Sequence, residues 1–282
     1  MNLMLPRLFA IAALAGTLGA LSVAARPSQS VSEQTSAPLD RQTFTDAQNL
    51  FYNGRYEAAA VLTLALRSLD PEDLASYELR TSALLFELKH ALGEQADNQK
   101  AFRRCLVCPG LMAAFLSDTA RGQALARARL QATPGDEAAL FFLGKIDLNY
   151  VWLQLGPLGR RKGWDEYWEA RKSLDAVLKQ NPRNVRAVVA RAWIDYIVDT
   201  KMPRGTRWLL GGGSKEHALA AMREAANTET EFFIHAEAAF ALWEMQLRER
   251  NTTEATELAR RLAHTFPENR QIAEFLLAHD PS

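Results

Sequence analysis

The chain has 282 residues, of which 48% are hydrophobic and 23% are charged, a composition typical of a globular protein with one large or two small domains. Its 33 basic and 33 acidic residues give a formal charge of zero. This balance excludes a whole-chain electrostatic attraction to nucleic acid or to an anionic membrane surface, so any basic site is expected to be local.

The first 25 residues have the layout of a secretory signal peptide. Arg7 precedes an apolar stretch at 8–21, and Val23-Ala24-Ala25 places small residues where a signal peptidase reads them. We expect cleavage before Arg26 and export of the chain. The alternative is an uncleaved inner-membrane anchor, because residues 8–25 span 18 positions, near the lower limit for a transmembrane helix. Contact with a membrane is expected only in that case.

Two further regions follow the signal. Residues 26–40 are polar, lack apolar periodicity and are expected to form a flexible linker. Residues 41–282 show a helical pattern almost throughout. Within this helical region, loop insertions are predicted near 151–164 and 199–213.

The first helical unit is the clearest. Ala47, Leu50 and Phe51 have the i, i+3, i+4 spacing of an amphipathic helix. Gly54 permits a tight turn, and Tyr56 begins a second helix. These residues predict an antiparallel helix pair.

A small residue followed twelve positions later by proline recurs along the chain. A small side chain lets two helices cross closely, and the residue before a proline leaves the α region, which ends a helix. The four occurrences are Ala59 to Pro71, Gly122 to Pro134, Ala170 to Pro182 and Ala255 to Pro267. This spacing predicts the second helix of each pair and its end.

The segment Gly54-Arg55-Tyr56-Glu57-Ala58-Ala59, continuing to Asp70-Pro71, resembles the second half of a tetratricopeptide repeat, and Leu143-Gly144 is also similar to that repeat. The resemblance implies an all-α, right-handed solenoid of about five to six antiparallel helix pairs. A helix at 270–278 is expected to cap the last pair, whose apolar face would otherwise be exposed.

The remaining pairs are predicted from the same pattern. The second consists of helices at 76–92 and 95–107, the latter ended by Pro109, and the third occupies 111–133 with a short first helix. The fourth, fifth and sixth pairs are predicted at 137–150 with 164–179, 185–198 with 215–226, and 231–248 with 253–265.

The two insertions are the candidate binding site. Gly144 and Ala170 stand 26 residues apart and Ala190 and Ala218 stand 28 apart, where a plain repeat would have 12. Equivalent turns of stacked repeats lie on one edge, so the two loops are expected to be neighbours. Both contain basic residues and a tryptophan: Arg160, Arg161, Lys162, Trp164, Lys201, Arg204, Arg207 and Trp208.

Arginine offers bidentate geometry to carboxylate or phosphate, and tryptophan can cover an apolar group, so these loops suit an anionic or aromatic ligand. The alternative is that the loops fill the solenoid groove, with the tryptophans as core. Asp147, Asp195 and Asp199 lead into the loops and could pair with their basic residues in a stabilising role.

The run Gly211-Gly212-Gly213-Ser214-Lys215 lacks the residue order of a nucleotide-binding phosphate loop, and no strand is predicted before it. It is similar to a segment of periplasmic tetratricopeptide proteins of the TRAP-transporter T-component type. That resemblance implies a periplasmic solute-binding protein as partner.

Cys105 and Cys108 are the only cysteines. A local disulfide, a pair of buried thiols, and a redox or metal function are all compatible with their spacing, although the βαβ context of thioredoxin-like proteins is absent. The histidines have no metal-ligand spacing. We expect neither a metal nor a cofactor.

The sequence therefore predicts a non-catalytic scaffold of a bacterial cell envelope, located in the periplasm. It would bind a protein or peptide through the solenoid groove and the two basic loops. The alternatives are a small-molecule-binding or transporter-accessory component of T-component type, with Trp164 and Trp208 in a closed pocket, and an enzyme whose site is assembled from loops.

Overall fold

The structure is a computed structural model that describes residues 36–93, 98–160, 162–202 and 204–280, with side chains from residue 43 onward except those of Arg204 and Thr206. The predicted signal peptide and residues 26–35 of the predicted linker lie outside these ranges.

The described ranges contain twelve α-helices, one 3₁₀ helix and no strand, which confirms the all-α prediction. The helices are α1 Ser36–Tyr52, α2 Tyr56–Leu66, α3 Leu74–Leu92, α4 Asn98–Arg104, α5 Cys108–Ala132, α6 Glu137–Leu155, α7 Trp164–Gln180, α8 Val185–Lys201, α9 Lys215–Asn227, α10 Phe232–Arg248, α11 Thr252–Thr265 and α12 Arg270–His279. The 3₁₀ helix is Arg204–Leu210. None of these helices combines the length and apolar character needed to cross a bilayer.

The helices pack in chain order as pairs. The packed pairs are α3 with α5, α6 with α7, α8 with α9 and α10 with α11, and α12 packs on α11 as a cap. A first pair, α1 and α2, precedes them and is in contact through the rings of Phe51 and Tyr56. The first helices also contact one another, α3 with α6 and α8 with α10, so they form the inner side of the array.

The second pair differs from the prediction. Residues 108–132 form one continuous helix that packs on both α3 and α6, so no third pair exists at 111–133 and the array has five pairs. The reason is the position of Pro109. It stands in the first turn of α5, where a backbone N–H has no helical partner and the fixed φ of proline suits the helix. Pro109 therefore begins a helix instead of ending one.

Small residues lie where helices cross. A Cβ on Gly144 would stand 2.9 Å from Leu174 Cγ, and one on Gly122 would stand 2.7 Å from Ile146 Cδ1. Ala59, Ala170, Ala218 and Ala255 are all buried. A larger side chain at these positions would hold the helix axes apart.

Each of the four prolines is followed two residues later by an aspartate or asparagine that caps the next helix. Such a side chain accepts a hydrogen bond from a free N–H of the first turn. The capping residues are Asp73 for α3, Asp136 for α6, Asn184 for α8 and Asn269 for α12. The Pro-x-Asx turn thus ends one pair and starts the next element.

The first pair contacts the last. The Tyr52 ring stacks on Phe240 and Phe233, with centroids 5.3 and 5.9 Å apart. Asn269 Nδ2 donates to the Tyr52 carbonyl at 2.8 Å, and the Glu268 N–H donates to Asn53 Oδ1 at 3.1 Å. The array therefore curves far enough to join its two ends.

Four charged groups meet on the inner side, each from a different first helix. Arg186 of α8 bonds Glu78 of α3 at 3.1 Å and Glu237 of α10 at 2.6 Å, and Lys145 of α6 bonds Glu237 at 2.6 Å. Their side chains are 6–23% exposed. Burial alone would raise the pKa of Glu237, but Arg186 and Lys145 outweigh it and lower that pKa to about 2.

This cluster changes what is expected of the groove. The groove predicted to bind an extended segment is occupied at this level by the chain's own side chains. Glu78 and Arg186 meet although the whole α6–α7 pair separates their helices in the sequence. Contact over that span requires the first helices to converge.

Asn269→Ala should loosen the join between the ends. The substitution removes both the α12 cap and the bond to the Tyr52 carbonyl, at a cost of about 1–2 kcal/mol. We expect faster hydrogen exchange in the last turn of α1, measured by mass spectrometry. Asp136→Ala is the matched control, because it removes a cap that does not touch α1. Equal exchange of α1 in both variants would contradict the join.

Candidate functional site

The second inserted loop is fixed on α7. Tyr167 Oη donates to the Leu210 carbonyl at 2.8 Å. Arg171 donates to the carbonyls of Leu210 at 3.1 Å and Gly211 at 2.9 Å. Leu210 itself is buried. These bonds hold the 3₁₀ helix Arg204–Leu210 and the glycines after it in one position.

The glycine run has a steric function. Gly211 adopts φ +78°, a left-handed conformation that glycine favours, and a Cβ on Gly213 would stand 2.5 Å from the Asp195 carbonyl oxygen. Ser214 then caps α9 by accepting from the His217 N–H at 3.3 Å. The run therefore lets the loop return along α8 into α9.

Asp199 anchors the same loop. One of its oxygens pairs with Arg207 Nη1, and the other accepts from the Lys215 N–H at 3.0 Å. Arg207 Nε also donates to the Met202 carbonyl at 3.2 Å. Arg207, a predicted binding residue, is thus engaged inside the loop. Asp199 therefore stabilises the loop, which is the role expected of it from the sequence.

The other two aspartates that precede the loops behave differently. Asp195 pairs with Arg191 at 2.9 Å and with Arg171 at 3.6 Å, neither of them a loop residue. Asp147 is fully buried and does not reach a loop.

The first inserted loop runs over residues 156–163 between α6 and α7. Leu158 is buried against the second helix pair, and Asn98 Nδ2 of α4 donates to the Gly156 carbonyl at 3.0 Å. Arg160 and Lys162 are exposed. A cleft of about 170 Å³ lies between this loop and α4, with Arg160 and Arg103 in its wall.

Exposed aromatic and apolar side chains lie on the second loop and in the first turns of α7. Trp208 is 72% exposed, Leu209 53%, Trp164 45% and Trp168 44%. Tyr167 connects them, with its ring 6.4 Å from Trp164 and 5.3 Å from Trp168, while its hydroxyl binds the loop that carries Trp208. We call these four exposed residues the aromatic edge. Trp164 and Trp208 are exposed, so the structure differs from the alternative in which both tryptophans form core.

The predicted basic residues are distributed unevenly. Arg160 and Lys162 are exposed next to Trp164, and Lys201 is exposed at the end of α8. Arg161 lies outside the described residues, as does the side chain of Arg204. The two loops are connected through α7, since the first leads into its N-terminus and the second binds Tyr167 and Arg171.

Cys105 and Cys108 form a disulfide at the junction of α4 and α5. No group of three or more histidine, cysteine, aspartate or glutamate side chains in metal-binding arrangement occurs among the described residues.

Five helix pairs with small residues at their crossings characterise the array. The described residues therefore form a helical repeat array. The crystal structure of TTC0263, a thermophilic TPR protein in Thermus thermophilus, matches it with 16% sequence identity over 84% of this chain and 99% of that one, at a TM-score of 0.46. No protein-family model matches the sequence, and no curated protein matches it. Repeat arrays of this class commonly bind other proteins over an extended surface.

Asp147 was expected to pair with the basic residues of the loops, and its burial was not predicted. Asp147 of α6 accepts from Gln123 Nε2 at 2.6 Å and lies beside Glu169 of α7, which Arg127 holds ionised. Burial, reinforced by the charge of Glu169, raises the pKa of Asp147 to about 8. The sequence feature that could have indicated this burial is an aspartate on the buried face of a helix.

Asp147→Asn should change how stability depends on pH. The carboxyl binds its proton more tightly in the folded state than in the unfolded chain. Its contribution is therefore complete below pH ~4 and is lost as the pH rises towards about 8. Asparagine preserves the bond from Gln123 and does not titrate. Urea unfolding at pH 5 and at pH 8 should show the variant gaining more than about 1 kcal/mol on wild type across that interval.

Asp165→Asn, at an exposed position in the first turn of α7, is the control and should show no such gain. A constant difference between wild type and Asp147→Asn at both pH values would contradict the assignment.

Proposed function

We propose that this protein is a non-catalytic, tetratricopeptide-like scaffold that binds a protein partner at the aromatic edge. Two pairs of exposed side chains carry the proposal: Trp164 and Trp168 in the first turns of α7, and Trp208 and Leu209 on the braced second loop. Single exposed apolar side chains are ordinary, but a contiguous group is typical of an interaction site. Tryptophan is also enriched among residues that contribute most to protein interfaces.

The loops are held in place before binding. Arg171 and Tyr167 fix the second loop through its backbone, and Asp199 fixes it through Arg207. A surface that is already ordered loses less conformational entropy when a partner binds. This bracing favours recognition over a purely space-filling role for the insertions.

The charges define the partner's chemistry. Arg160 and Lys162 are exposed beside Trp164, and no ion pair engages either of them in the described part of the chain. A partner segment with apolar side chains for the aromatic edge and acidic side chains for the basic pair fits this surface. Trp208 is too exposed to be the wall of a closed pocket, which favours a protein over a small molecule.

Photo-crosslinking in cells tests the proposal. A benzoylphenylalanine at position 168 or 209 should capture the same protein, because both positions lie on the aromatic edge. The matched control is position 61 on α2, where Val61 is 64% exposed but lies off that edge. Trp208→Ser with Leu209→Ser should lower capture at position 168 by about tenfold, equivalent to about 1.4 kcal/mol.

Circular dichroism must show that the double variant stays helical. Equal capture at position 61, or unchanged capture by the folded double variant, would contradict the aromatic edge. Arg160→Ser with Lys162→Ser should also reduce the salt dependence of binding. Recovery of a solute-binding protein would support the transporter-accessory role implied by the T-component resemblance.

The proposed location is the periplasm, after export. The apolar stretch at 8–21 and the small residues at 23 and 25 support export, and a disulfide is common in oxidising compartments. The alternative proposal is retention at the inner membrane by an uncleaved signal.

N-terminal sequencing of the chain purified from a Gram-negative host should give Arg26 as the first residue. Ala25→Trp should block cleavage, because a signal peptidase requires a small residue there, whereas Ala24→Trp should be cleaved normally. A wild-type chain that begins at Met1 would contradict cleavage.

A further inference from the structure

The turn between α4 and α5 presents its disulfide asymmetrically. Cys108 is the first residue of α5 and is fully buried, whereas Cys105 is half-buried. The Cys108 N–H donates to Cys105 Sγ at 3.2 Å. Of the two sulfur-bearing residues, Cys105 is therefore the more accessible to an incoming thiol, and its sulfur lies at the N-terminus of a helix of 25 residues.

The two residues between the cysteines project into solvent. Leu106 is 97% exposed and Val107 is 60% exposed. Arg103 and Arg104 are exposed in the preceding turn, at the end of α4. An apolar tip flanked by positive charge lies beside the more accessible sulfur. We call Leu106 and Val107 the apolar tip.

The disulfide is poorly placed to stabilise the fold. It closes a loop with only two intervening residues, and the stabilisation that a crosslink gives falls as the loop shortens. It connects the first residue of α5 to the residue that follows α4, a helix of seven residues with no buried side chain. The packing of α5 rests instead on groups such as Phe115, which is fully buried, and Gly122, which contacts Tyr77 and Ile146.

We infer that Cys105 and Cys108 form an exchangeable disulfide that oxidises a dithiol in another polypeptide, docked on the apolar tip. This activity is independent of the aromatic edge. It also differs from the thioredoxin arrangement, since no sheet supports the two cysteines among the described residues.

The exchange proceeds in two balanced steps. A substrate thiolate attacks Cys105 Sγ, the Cys105–Cys108 bond breaks, and Cys108 leaves as a thiolate that takes up a proton. The second substrate thiol then loses its proton and attacks the substrate sulfur of the mixed disulfide, which expels Cys105. The substrate gains a disulfide and this chain holds two reduced cysteines, so the disulfide itself is the oxidant.

Nearby groups stabilise the departing sulfurs. Cys108 leaves at the N-terminus of α5, where the helix dipole favours negative charge. Cys105 leaves with the Cys108 N–H directed at it and with Arg103 and Arg104 in the adjacent turn. Better leaving groups accelerate both steps.

Single-turnover exchange with the full-length oxidised chain tests this inference. The probe is a synthetic peptide with a reduced Cys-Gly-Gly-Cys sequence flanked by leucines, followed by mass spectrometry at neutral pH. We expect the folded chain to oxidise the peptide at least about tenfold faster than the same chain unfolded in urea. A folded chain that reacts more slowly than the unfolded one would show a buried structural disulfide and overturn the inference.

Cysteine variants identify the reacting sulfur. Cys108→Ser leaves Cys105 alone, and it should form a lasting mixed disulfide with glutathione when given glutathione disulfide. Cys105→Ser should react at least about tenfold more slowly, because Cys108 is buried. Equal reaction of both variants would contradict the assignment of Cys105. The wild-type comparison above still decides the inference if either variant fails to fold.

A double variant tests whether the substrate docks on the apolar tip. Leu106→Ser with Val107→Ser should slow oxidation of the leucine-flanked peptide while leaving reduction by dithiothreitol unchanged. Equal slowing with both reductants would mean that the substitutions altered the disulfide itself, and unchanged rates with both would remove the apolar tip as the docking site.

Discussion

Two positive and two negative side chains meet on the inner side of the helix pairs, and the curvature of the array depends on their pairing. An isolated buried charge would cost several kcal/mol, but Arg186 and Lys145 both contact the two carboxylates Glu78 and Glu237. These contacts join helices that are not neighbours in the sequence. They fit only if the first helices converge, and that convergence brings Tyr52 onto the phenylalanines of the last pair.

Convergence changes where such an array can act. An open solenoid presents its concave side to partners, whereas here that side contains the charged cluster and the Tyr52 stack. The inserted loops instead provide new surface on one edge, outside the filled interior. Their bonds to Tyr167 and Arg171 show how a loop rich in glycine can still present tryptophans in fixed positions. The insertions thus provide accessible surface on the edge of the array, whereas its inner side is filled.

The repeated local features were predictable from the sequence. Helix periodicity, the small residues at Ala59 and Gly144, and the prolines specify pairs because each acts over one or two turns of helix. The Pro-x-Asx caps are an equally local sequence feature, but the twelve-residue spacing from small residue to proline does not include them. The prediction that Pro109 ends a helix was wrong, because a proline fits the first turn of a helix as well as it ends one.

Closure could not be predicted in the same way. Glu78 and Arg186 lie 108 residues apart, and nothing in their local sequence distinguishes a solvated charge from a buried pair. The roles of individual loop residues could not be predicted either. Their composition indicated a binding surface, but only the folded backbone shows that Arg207 is committed to Asp199 while Trp208 faces solvent.

The bond from Asn269 to Tyr52 has a consequence for how this protein can vary. Open repeat arrays lengthen or shorten by whole units, because each unit contacts only its neighbours. Here an added pair would separate Asn269 from its acceptor, and a lost pair would bring the ends into collision. Duplication of a unit would therefore break the join between the ends, whereas an inserted loop leaves that join intact.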